Sequence, residues 1–547
     1  KLRALCSFLM AIDEAARQAE DSVPVSTKVS TPRDPLTQWV IDFYRTHPGA
    51  SREELLAASM KRTYSGSPFP GFFTGGGFHI FQNFKKEQDS QVFTLEEGFR
   101  ESVNLVFIRL MREVVEYHIA KMGYDQEQIL ADTRSPHRQA LLAEAADSES
   151  REFLRKFYRD HATKTPEERF ARLAKSTRHP YRNWIILYFK EHPDAKWEKV
   201  LNDARPWFGA DLDVDILAKC YKAYRGKSYK LTDEAYLLDK HPLEVWVAAY
   251  LNDHPHATWK ETVEASAEAR QAASAWLFKN RFRSAQNSRI RTLLERKAFE
   301  QIHLTWRSLG YPFQSLVPSL ATAIGSSADR PANLAELIGI IVNDGIYKPT
   351  VLIQALHFAA GTPYETHFVK KPEPPKQAMS AEVAHTLCNA LRIVVAEGTG
   401  RRIKDTFVNA SGTPLDIGGK TGTGDNRFRT FRHGAEQVSS RSVSRTSTFV
   451  FFVDRFFGVV TAHVEGAQAA GYEFTSALAV QVLKTARPAL VGLLPEANLQ
   501  AEAVSIPAAS SAPVFPSPAK PLIHQVTPVE SRSTDLRIPK LMLGNEQ

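Results

Sequence analysis

The chain has 547 residues, enough for several domains, and its hydrophobic content of 43% is ordinary for globular protein. The formal net charge of +8 is modest for this length, and no nucleic-acid-binding motif is present, so we expect no nucleic-acid partner. No apolar run is long enough for a membrane helix. Since the sequence has neither His-Glu-x-x-His nor paired cysteines, we predict no metal site and no cofactor.

The first elements in chain order are an apolar helix and a short helical hairpin. The chain starts Lys1-Leu-Arg-Ala-Leu5 and continues with an apolar helical pattern. Residues 34–60 predict two further helices, and Ser51-Arg-Glu-Glu54 has the form of a capping box that opens the second.

The triplet Ser102-Val103-Asn104 lies between two predicted helices. Thr94-Leu-Glu-Glu97 has the form of a capping box for the first helix, and the apolar-rich residues 105–115 predict the second. A junction of this kind can direct polar side chains into a cleft. The alternative is that Ser102 only caps the second helix, and the triplet alone does not decide between these two interpretations.

A repeated spacing of aromatic residues and histidines marks a helical region at residues 125–300, with one further copy inside residues 34–60. Each copy has two aromatic residues four positions apart and a histidine four positions later, which places all three on one helix face. The copies are Trp39-Phe43-His47, Phe153-Phe157-His161, Trp184-Tyr188-His192 and Trp246-Tyr250-His254. We predict helical hairpins in which these side chains hold each hairpin's core and cap its helix. The alternative is a docking surface for a protein or glycan partner.

The stretch Gly418-Gly-Lys-Thr-Gly-Thr-Gly424 precedes a predicted β-hairpin of residues 449–453 and 456–460. On an edge strand this stretch offers a lysine ammonium, threonine hydroxyls and a backbone that the glycines leave accessible. These groups suit a substrate that adds as an extra strand and ends in a carboxylate. A phosphate-binding P-loop does not fit, because Pro414 stands at its first glycine and no apolar helix follows. A Gly-rich turn between strands remains an alternative on this motif alone.

Several segments, in the same order, resemble class A penicillin-binding proteins. The resemblance lies mainly in residues 60–124 and 301–486, about half of the chain. Its motifs are residues 83–85, 93–110, 319–345, 394–400, 418–424 and 448–453. It implies an α+β fold of the β-lactamase/transpeptidase type, in which an antiparallel β-sheet is flanked by helices and the helical repeat region is inserted.

The resemblance also implies an activity, the cross-linking of peptidoglycan stem peptides by D,D-transpeptidation through a serine acyl-enzyme, with β-lactams as inhibitors. Lys1 would be the lysine of the family's Ser-x-x-Lys motif, and it would take the proton of a serine three residues before it. Ser102 and Lys420 would relay that proton to the leaving amine. Asn104 would bind the substrate backbone and hold Lys1.

The remaining residues of the implied site bind substrate. The hydroxyls of Thr421 and Thr423, with Lys420, would bind the terminal carboxylate of a D-Ala-D-Ala stem. Gly422 completes the Lys-Thr-Gly motif, and the N–H of Thr423 would form half of the oxyanion hole. Ser-Val-Asn fits penicillin-binding proteins better than the Ser-Asp-Asn of related β-lactamases.

The chain as given holds no credible nucleophile. Its only Ser-x-x-Lys match, Ser517-Pro-Ala-Lys520, follows the Lys-Thr-Gly motif instead of preceding it. We therefore expect a fragment of a transpeptidase or carboxypeptidase that works at the periplasmic face of the cytoplasmic membrane, with an anchor and a glycosyltransferase domain upstream. The alternative is a catalytically inactive binding or scaffold protein on the same fold.

These patterns predict four regions along the chain. Residues 1–124 form the first part of the transpeptidase core and include the hairpin module at about 34–60. Residues 125–300 form the helical insertion, residues 301–486 the second part of the core, and residues 487–547 a disordered tail rich in Pro, Ala and Ser.

Overall fold

The computed structural model describes residues 1–21, 34–371, 373–409, 411–431 and 437–491. Helices dominate these ranges. The α-helices are α1 (Leu2–Asp21), α2 (Pro35–Thr46), α3 (Arg52–Met60), α4 (Leu95–Arg100), α5 (Asn104–Lys121), α6 (Gln126–Ala131), α7 (Pro136–His161), α8 (Pro166–Ala174), α9 (Pro180–Glu191), α10 (Trp197–Phe208), α11 (Val214–Tyr224), α12 (Leu231–Leu238), α13 (Pro242–Asp253), α14 (Trp259–Ala265), α15 (Ala267–Ser274), α16 (Arg283–Ser308), α17 (Pro331–Val342), α18 (Ala381–Ala396) and α19 (Ala477–Val491).

The strands form one antiparallel sheet of three strands and four two-stranded pairs. They are β1 (Thr63–Ser65), β2 (Phe72–Thr74), β3 (Gly77–His79), β4 (Val92–Thr94), β5 (Ile346–Tyr347), β6 (Ala355–Phe358), β7 (Thr366–Val369), β8 (Lys376–Gln377), β9 (Ile417–Phe431), β10 (Gln437–Val453) and β11 (Phe456–Glu465). The main sheet has the order β11-β10-β9, and the predicted hairpin of β10 and β11 is confirmed. In the described part of the chain, no strand pairs with the outer edge of β9.

Helices cover both faces of the main sheet at residues 449–453, where β10 carries apolar side chains on both faces. Val450 and Phe452 belong to the largest core, which also contains buried residues of α1, α5, α16, α17 and α18. Phe449 and Val453 point the other way and pack against residues of α19. A strand that is buried on both faces has a continuous apolar run instead of an alternating one. The expected α+β fold, an antiparallel sheet flanked by helices, is confirmed.

Between β4 and β5 every described element of secondary structure is a helix, and residues of α7 to α15 supply two hydrophobic clusters separate from the main core. The predicted one-face spacing of the repeats is confirmed. The rings of Trp184 and Tyr188 lie 4.7 Å apart and those of Tyr188 and His192 lie 4.9 Å apart. In α13 the corresponding centroid distances along Trp246, Tyr250 and His254 are 4.8 and 4.5 Å.

The repeated histidines end their helices. His47, His192 and His254 are the C-terminal caps of α2, α9 and α13. The Nδ1 atoms of His47 and His254 each lie 3.2 Å from the carbonyl oxygen of the residue four positions earlier. These contacts satisfy carbonyl groups that a helix end would otherwise leave unpaired. In these three copies the repeat therefore acts within its own helices, as the sequence predicts. In the fourth copy the buried His161 contacts another helix, because its Nε2 lies 3.5 Å from the Oε1 of Glu244 in α13.

The predicted capping boxes at Ser51 and Thr94 both form, and Thr165 and Thr258 open α8 and α14 in the same way. At the other end, α19 continues to Val491, past residue 487 where the tail is predicted to begin. The rest of that tail, including Ser517 and Lys520, lies outside the described residues. None of the described helices is long and apolar enough to cross a membrane.

Candidate active site

The Lys-Thr-Gly motif lies in the first half of β9, and its glycines have two different surroundings. A Cβ atom added to Gly418 would lie 2.4 Å from the ring of Phe452, and one added to Gly419 would lie 2.5 Å from the ring of Phe449. At Gly422, in contrast, an added Cβ would approach only the carbonyl oxygen of Thr448, at 4.0 Å. Packing inside the sheet requires the first two glycines, whereas Gly422 leaves open space.

The Ser-x-Asn triplet forms the sharp turn between α4 and α5. Ser102 has φ of 59°, in the left-handed region, a conformation that costs a residue other than glycine on the order of 1–3 kcal/mol. The residue that caps α5 is Val103, with no side-chain hydrogen bond to the helix. The alternative that Ser102 caps α5 is therefore wrong. The turn leaves the Ser102 hydroxyl free to meet side chains from elsewhere in the chain.

Two lysine amines converge on that hydroxyl. The Nζ atom of Lys1 donates to the Ser102 Oγ over 3.0 Å and to the Ser102 carbonyl oxygen over 2.5 Å. The Nζ atom of Lys420 donates to the same Oγ over 3.1 Å and to the carbonyl oxygen of Thr421 over 3.3 Å. Three residues that stand at positions 1, 102 and 420 are thus joined by hydrogen bonds.

Burial makes both amines easy to deprotonate. The side chain of Lys420 is 4% exposed, and burial lowers its pKa to about 7, although the nearby Glu101 carboxylate favours the charged form. Burial, and then the charge of Lys420, lower the pKa of Lys1 well below its usual value. A neutral amine beside a serine hydroxyl can accept a proton, so the cluster has the composition of a proton relay.

The threonines of the motif have different partners. The Oγ1 atoms of Thr421 and Thr399 lie 2.7 Å apart, and Thr421 is buried. The Oγ1 of Thr423 accepts a hydrogen bond from the backbone N–H of Ser476 over 3.0 Å, which leaves its own proton available to a ligand. Thr423 is exposed on the strand and is therefore the more accessible of the two hydroxyls.

Thr399 is a residue of this site that the sequence analysis did not find. Its N–H donates to the carbonyl oxygen of Arg100 over 3.4 Å, which ties its loop to the turn that carries Ser102. The approach is possible because Gly398 has no side chain; a Cβ there would lie 2.6 Å from the same carbonyl oxygen. Residues 394–400 do resemble a family segment, but nothing in that segment links Thr399 to Thr421.

Asn104 lies beside the cluster without joining it. Its Nδ2 donates to the carbonyl oxygen of Gln82 over 2.9 Å, and among the described residues no hydrogen bond connects Asn104 to Lys1. The N-terminus of α5 is satisfied by Asn83, whose Oδ1 accepts from the N–H of Leu105 over 3.0 Å. The structure therefore brings together Lys1, Ser102 and Lys420, and leaves Asn104 at the start of α5, where it is bonded to a neighbouring loop.

A family model described as "Penicillin binding protein transpeptidase domain" matches residues 234–453, a range that contains the Lys-Thr-Gly strand. Residues 234–453 are thus similar to the transpeptidase domain of penicillin-binding proteins. The matched range excludes Lys1, Ser102 and Asn104, so only the fold brings the first two beside Lys420. It also begins inside the predicted insertion, whose boundaries stay a prediction.

Solved structures of transpeptidases show a distant likeness. The D,D-transpeptidase domain of a peptidoglycan glycosyltransferase from Eggerthella lenta is 16% identical, with 80% of this chain and 61% of that chain covered and a TM-score of 0.30. Penicillin binding protein 3 from Mycobacterium tuberculosis in complex with aztreonam is 19% identical, with 38% and 51% covered and a TM-score of 0.25. The chain thus spans about half to three-fifths of the length of these two proteins. No curated protein matches the chain.

Proposed function

We propose that this chain carries the substrate cleft of a penicillin-binding D,D-transpeptidase, which cross-links peptidoglycan stem peptides through a serine acyl-enzyme. The observation that carries the proposal is the convergence of Lys1 and Lys420 on the Ser102 hydroxyl, beside the open edge of β9. The nucleophile would be a serine three residues before Lys1 in a longer parent chain, one helical turn from the Lys1 amine.

The first half-reaction needs a base, a relay and an acid. The serine oxygen attacks the carbonyl carbon between the two terminal D-alanines, and its proton passes to the neutral amine of Lys1. The Lys1–Ser102–Lys420 hydrogen bonds give that proton a path to the nitrogen of the departing D-alanine. The C–N bond breaks, a serine ester forms, and an amine from a second stem peptide later displaces the serine. A β-lactam would form the same ester by opening its ring.

The outer edge of β9 suits the peptide part of the substrate. An extended peptide can add to an unpaired strand through main-chain hydrogen bonds, and the open space at Gly422 lets its backbone lie close. In its charged form Lys420, together with the hydroxyl of Thr423, would bind a terminal carboxylate. The buried Thr421 hydroxyl supports the strand through Thr399, and the Thr423 N–H would donate to the developing oxyanion.

The resemblance to class A proteins supports a wider setting for this domain. We propose a parent protein with a membrane anchor and a glycosyltransferase domain upstream, working at the periplasmic face of the cytoplasmic membrane. The helical hairpins of α7 to α15 would be an insertion into the transpeptidase core. Their repeated aromatic residues stabilise the hairpins themselves, and a protein or glycan partner stays a prediction.

Covalent labelling with a fluorescent penicillin tests the proposal. The probe is added to this chain and to a version extended upstream through its natural reading frame, and the labelled peptide is identified by mass spectrometry. We expect label only on the extended chain, at a serine three residues before Lys1. Circular dichroism of both chains shows whether each is folded.

The other outcomes would overturn parts of the proposal. Folded chains that both stay unlabelled would favour a non-catalytic scaffold on the transpeptidase fold. Label on a serine of the present chain, such as Ser102, would contradict the assignment of the nucleophile.

A further inference from the structure

The β6–β7 hairpin carries a cluster of metal-ligating side chains that the transpeptidase site does not use. The two strands pair with each other, and every one of their residues is exposed. His357 and His367 are directly opposite partners in the antiparallel register, so their side chains leave the same face of the hairpin. Glu365 precedes β7 and lies two positions before His367, which places it on that face as well.

The three side chains converge on one point. The Nε2 atom of His357 lies 2.8 Å from the Oε1 of Glu365, and the Nε2 atom of His367 lies 3.1 Å from the same oxygen. The two imidazole rings stack at a centroid distance of 3.8 Å. All three ligand atoms lie within 4.8 Å of one another. Both rings thus direct the same nitrogen atom at a single carboxylate oxygen.

These distances are close to those between neighbouring ligands of one metal ion. Zn²⁺ binds histidine nitrogen and carboxylate oxygen at about 2.0–2.2 Å, so two such ligands lie about 3.0 Å apart at a right angle and about 3.4 Å apart at a tetrahedral angle. The observed 2.8 and 3.1 Å need a shift of only a few tenths of an ångström. The other carboxylate oxygen, Oε2, is held by the backbone N–H of Gly361 over 3.0 Å, as metal-binding carboxylates are held by outer partners.

We propose that His357, Glu365 and His367 form a Zn²⁺ site on the β6–β7 hairpin. Two imidazoles and one carboxylate are ligands that suit zinc and leave a fourth position for water or for a donor from another molecule. The site cross-links two strands that no other described strand supports. An isolated two-stranded hairpin is at best marginally stable in water, so a bound ion fixes its register and its exposed position.

The sequence pattern does not reveal this site, and the sequence alone predicts that the chain has no metal site. The spacing His-x₇-Glu-x-His is unlike a zinc-binding helix motif, in which the two histidines lie four positions apart. Only the hairpin register, which pairs His357 with His367, brings the ligands together.

Titration of the metal-free full chain with Zn²⁺ tests the site. Isothermal calorimetry measures stoichiometry and affinity, and Co²⁺ gives a d–d absorption spectrum that reports the ligand set. The variants are His357→Gln and His367→Gln, and the matched control is His385→Gln. His385 is an exposed histidine outside the hairpin; its Nε2 lies 3.1 Å from the carboxylate of Asp344, and its Nδ1 lies 4.0 Å from that of Glu53.

We expect the wild-type chain and the control variant to bind one Zn²⁺ per chain. Both hairpin variants should lose this binding, or bind Zn²⁺ at least about tenfold more weakly, which is the usual effect of disturbing the ligands of a metal site. Zn²⁺ should also slow amide hydrogen exchange in residues 355–369 of the wild-type chain. Binding that is absent, or that the two hairpin variants leave unchanged, would overturn the proposal. Binding without protection of the hairpin would overturn it too. Because β6 and β7 are exposed, thermal melting should be the same in all the metal-free variants.

Discussion

The helical hairpins and the lysine cluster bring side chains together in opposite ways. In the hairpins, Trp184, Tyr188 and His192 meet because they stand four positions apart on one helix. In the cleft, Lys1 and Lys420 meet at Ser102 although long stretches of chain separate them. The first arrangement is local and occurs in three of the four copies of the repeat, whereas the second depends on the whole core.

The two regions also differ in what their contacts do for stability. Aromatic stacks in the hairpins bury apolar surface and so favour folding. The cleft instead buries two amines beside one hydroxyl, and burial opposes their charged forms. Substitutions in the hairpins should therefore act on stability, and substitutions in the cleft should act on chemistry.

The largest effect is expected from Lys420→Met in the upstream-extended chain. Loss of the relay should lower the rate of acylation by a fluorescent penicillin by about 10²–10⁴-fold, the usual range for a proton-transfer group. The melting temperature should not fall, because burying an uncharged methionine, unlike burying a lysine, takes no charge out of water. Lys199→Met, at an exposed lysine of α10, is the control and should react like the wild-type chain. An unchanged rate in Lys420→Met would contradict the role of the cluster.

The next effect concerns the hairpins. Trp184 is 3% exposed, and Trp184→Ala should lower the free energy of unfolding of its helical region by about 3–5 kcal/mol, as measured in urea. Trp246 is only partly buried, so Trp246→Ala should cost less. Acylation per folded molecule of the extended chain should be unchanged in both. A loss of acylation without a loss of stability would show that the hairpins contribute to the cleft.

Two glycines of one strand sharpen the comparison within the cleft. Gly419→Ala places a methyl group against Phe449 and the carbonyl oxygen of Val450, and should cost about 1–3 kcal/mol of stability. Gly422→Ala meets open space and should change stability by less than about 0.5 kcal/mol. It should nevertheless slow acylation, because the methyl group occupies the edge where a substrate strand would lie. Equal stability of the two variants would contradict these surroundings.

The pH dependence of stability gives the most specific effect, because it reports on the protonation of a single buried amine. The pKa of Lys420 is lowered from 10.5 to about 7 in the folded protein, so between these values the unfolded chain binds more protons. The free energy of unfolding should therefore rise with pH in this window, by at most about 1.4 kcal/mol per pH unit from this one group. Lys420→Met should flatten the rise, and Lys199→Met should keep it. Urea unfolding at several pH values measures the slope, and a slope that Lys420→Met leaves intact would show that Lys420 stays charged.

The local features of this protein could be predicted from its sequence, because each depends on residues that are close along the chain. Capping boxes, the four-residue spacing of the repeats and the apolar run of β10 belong to single helices and strands. The Lys-Thr-Gly and Ser-Val-Asn motifs were recognisable for the same reason, since each is a short contiguous stretch. The resemblance predicts that the two motifs share one site, and the structure shows the hydrogen bond from Lys420 to Ser102 that joins them.

Other features depend on the path of the chain, which only the tertiary structure decides. Thr399 contacts Thr421, and Asn83 accepts a hydrogen bond from the first turn of α5, through contacts that no sequence period or motif predicts. The choice between a cap and a cleft residue at Ser102 also depends on the turn itself, in which Ser102 has a left-handed φ and its hydroxyl accepts from Lys1 and Lys420. His357 and His367 share one carboxylate only because the register of the hairpin pairs them. Sequence periodicity determines which face of an element is buried, whereas packing and register decide which distant residues meet there.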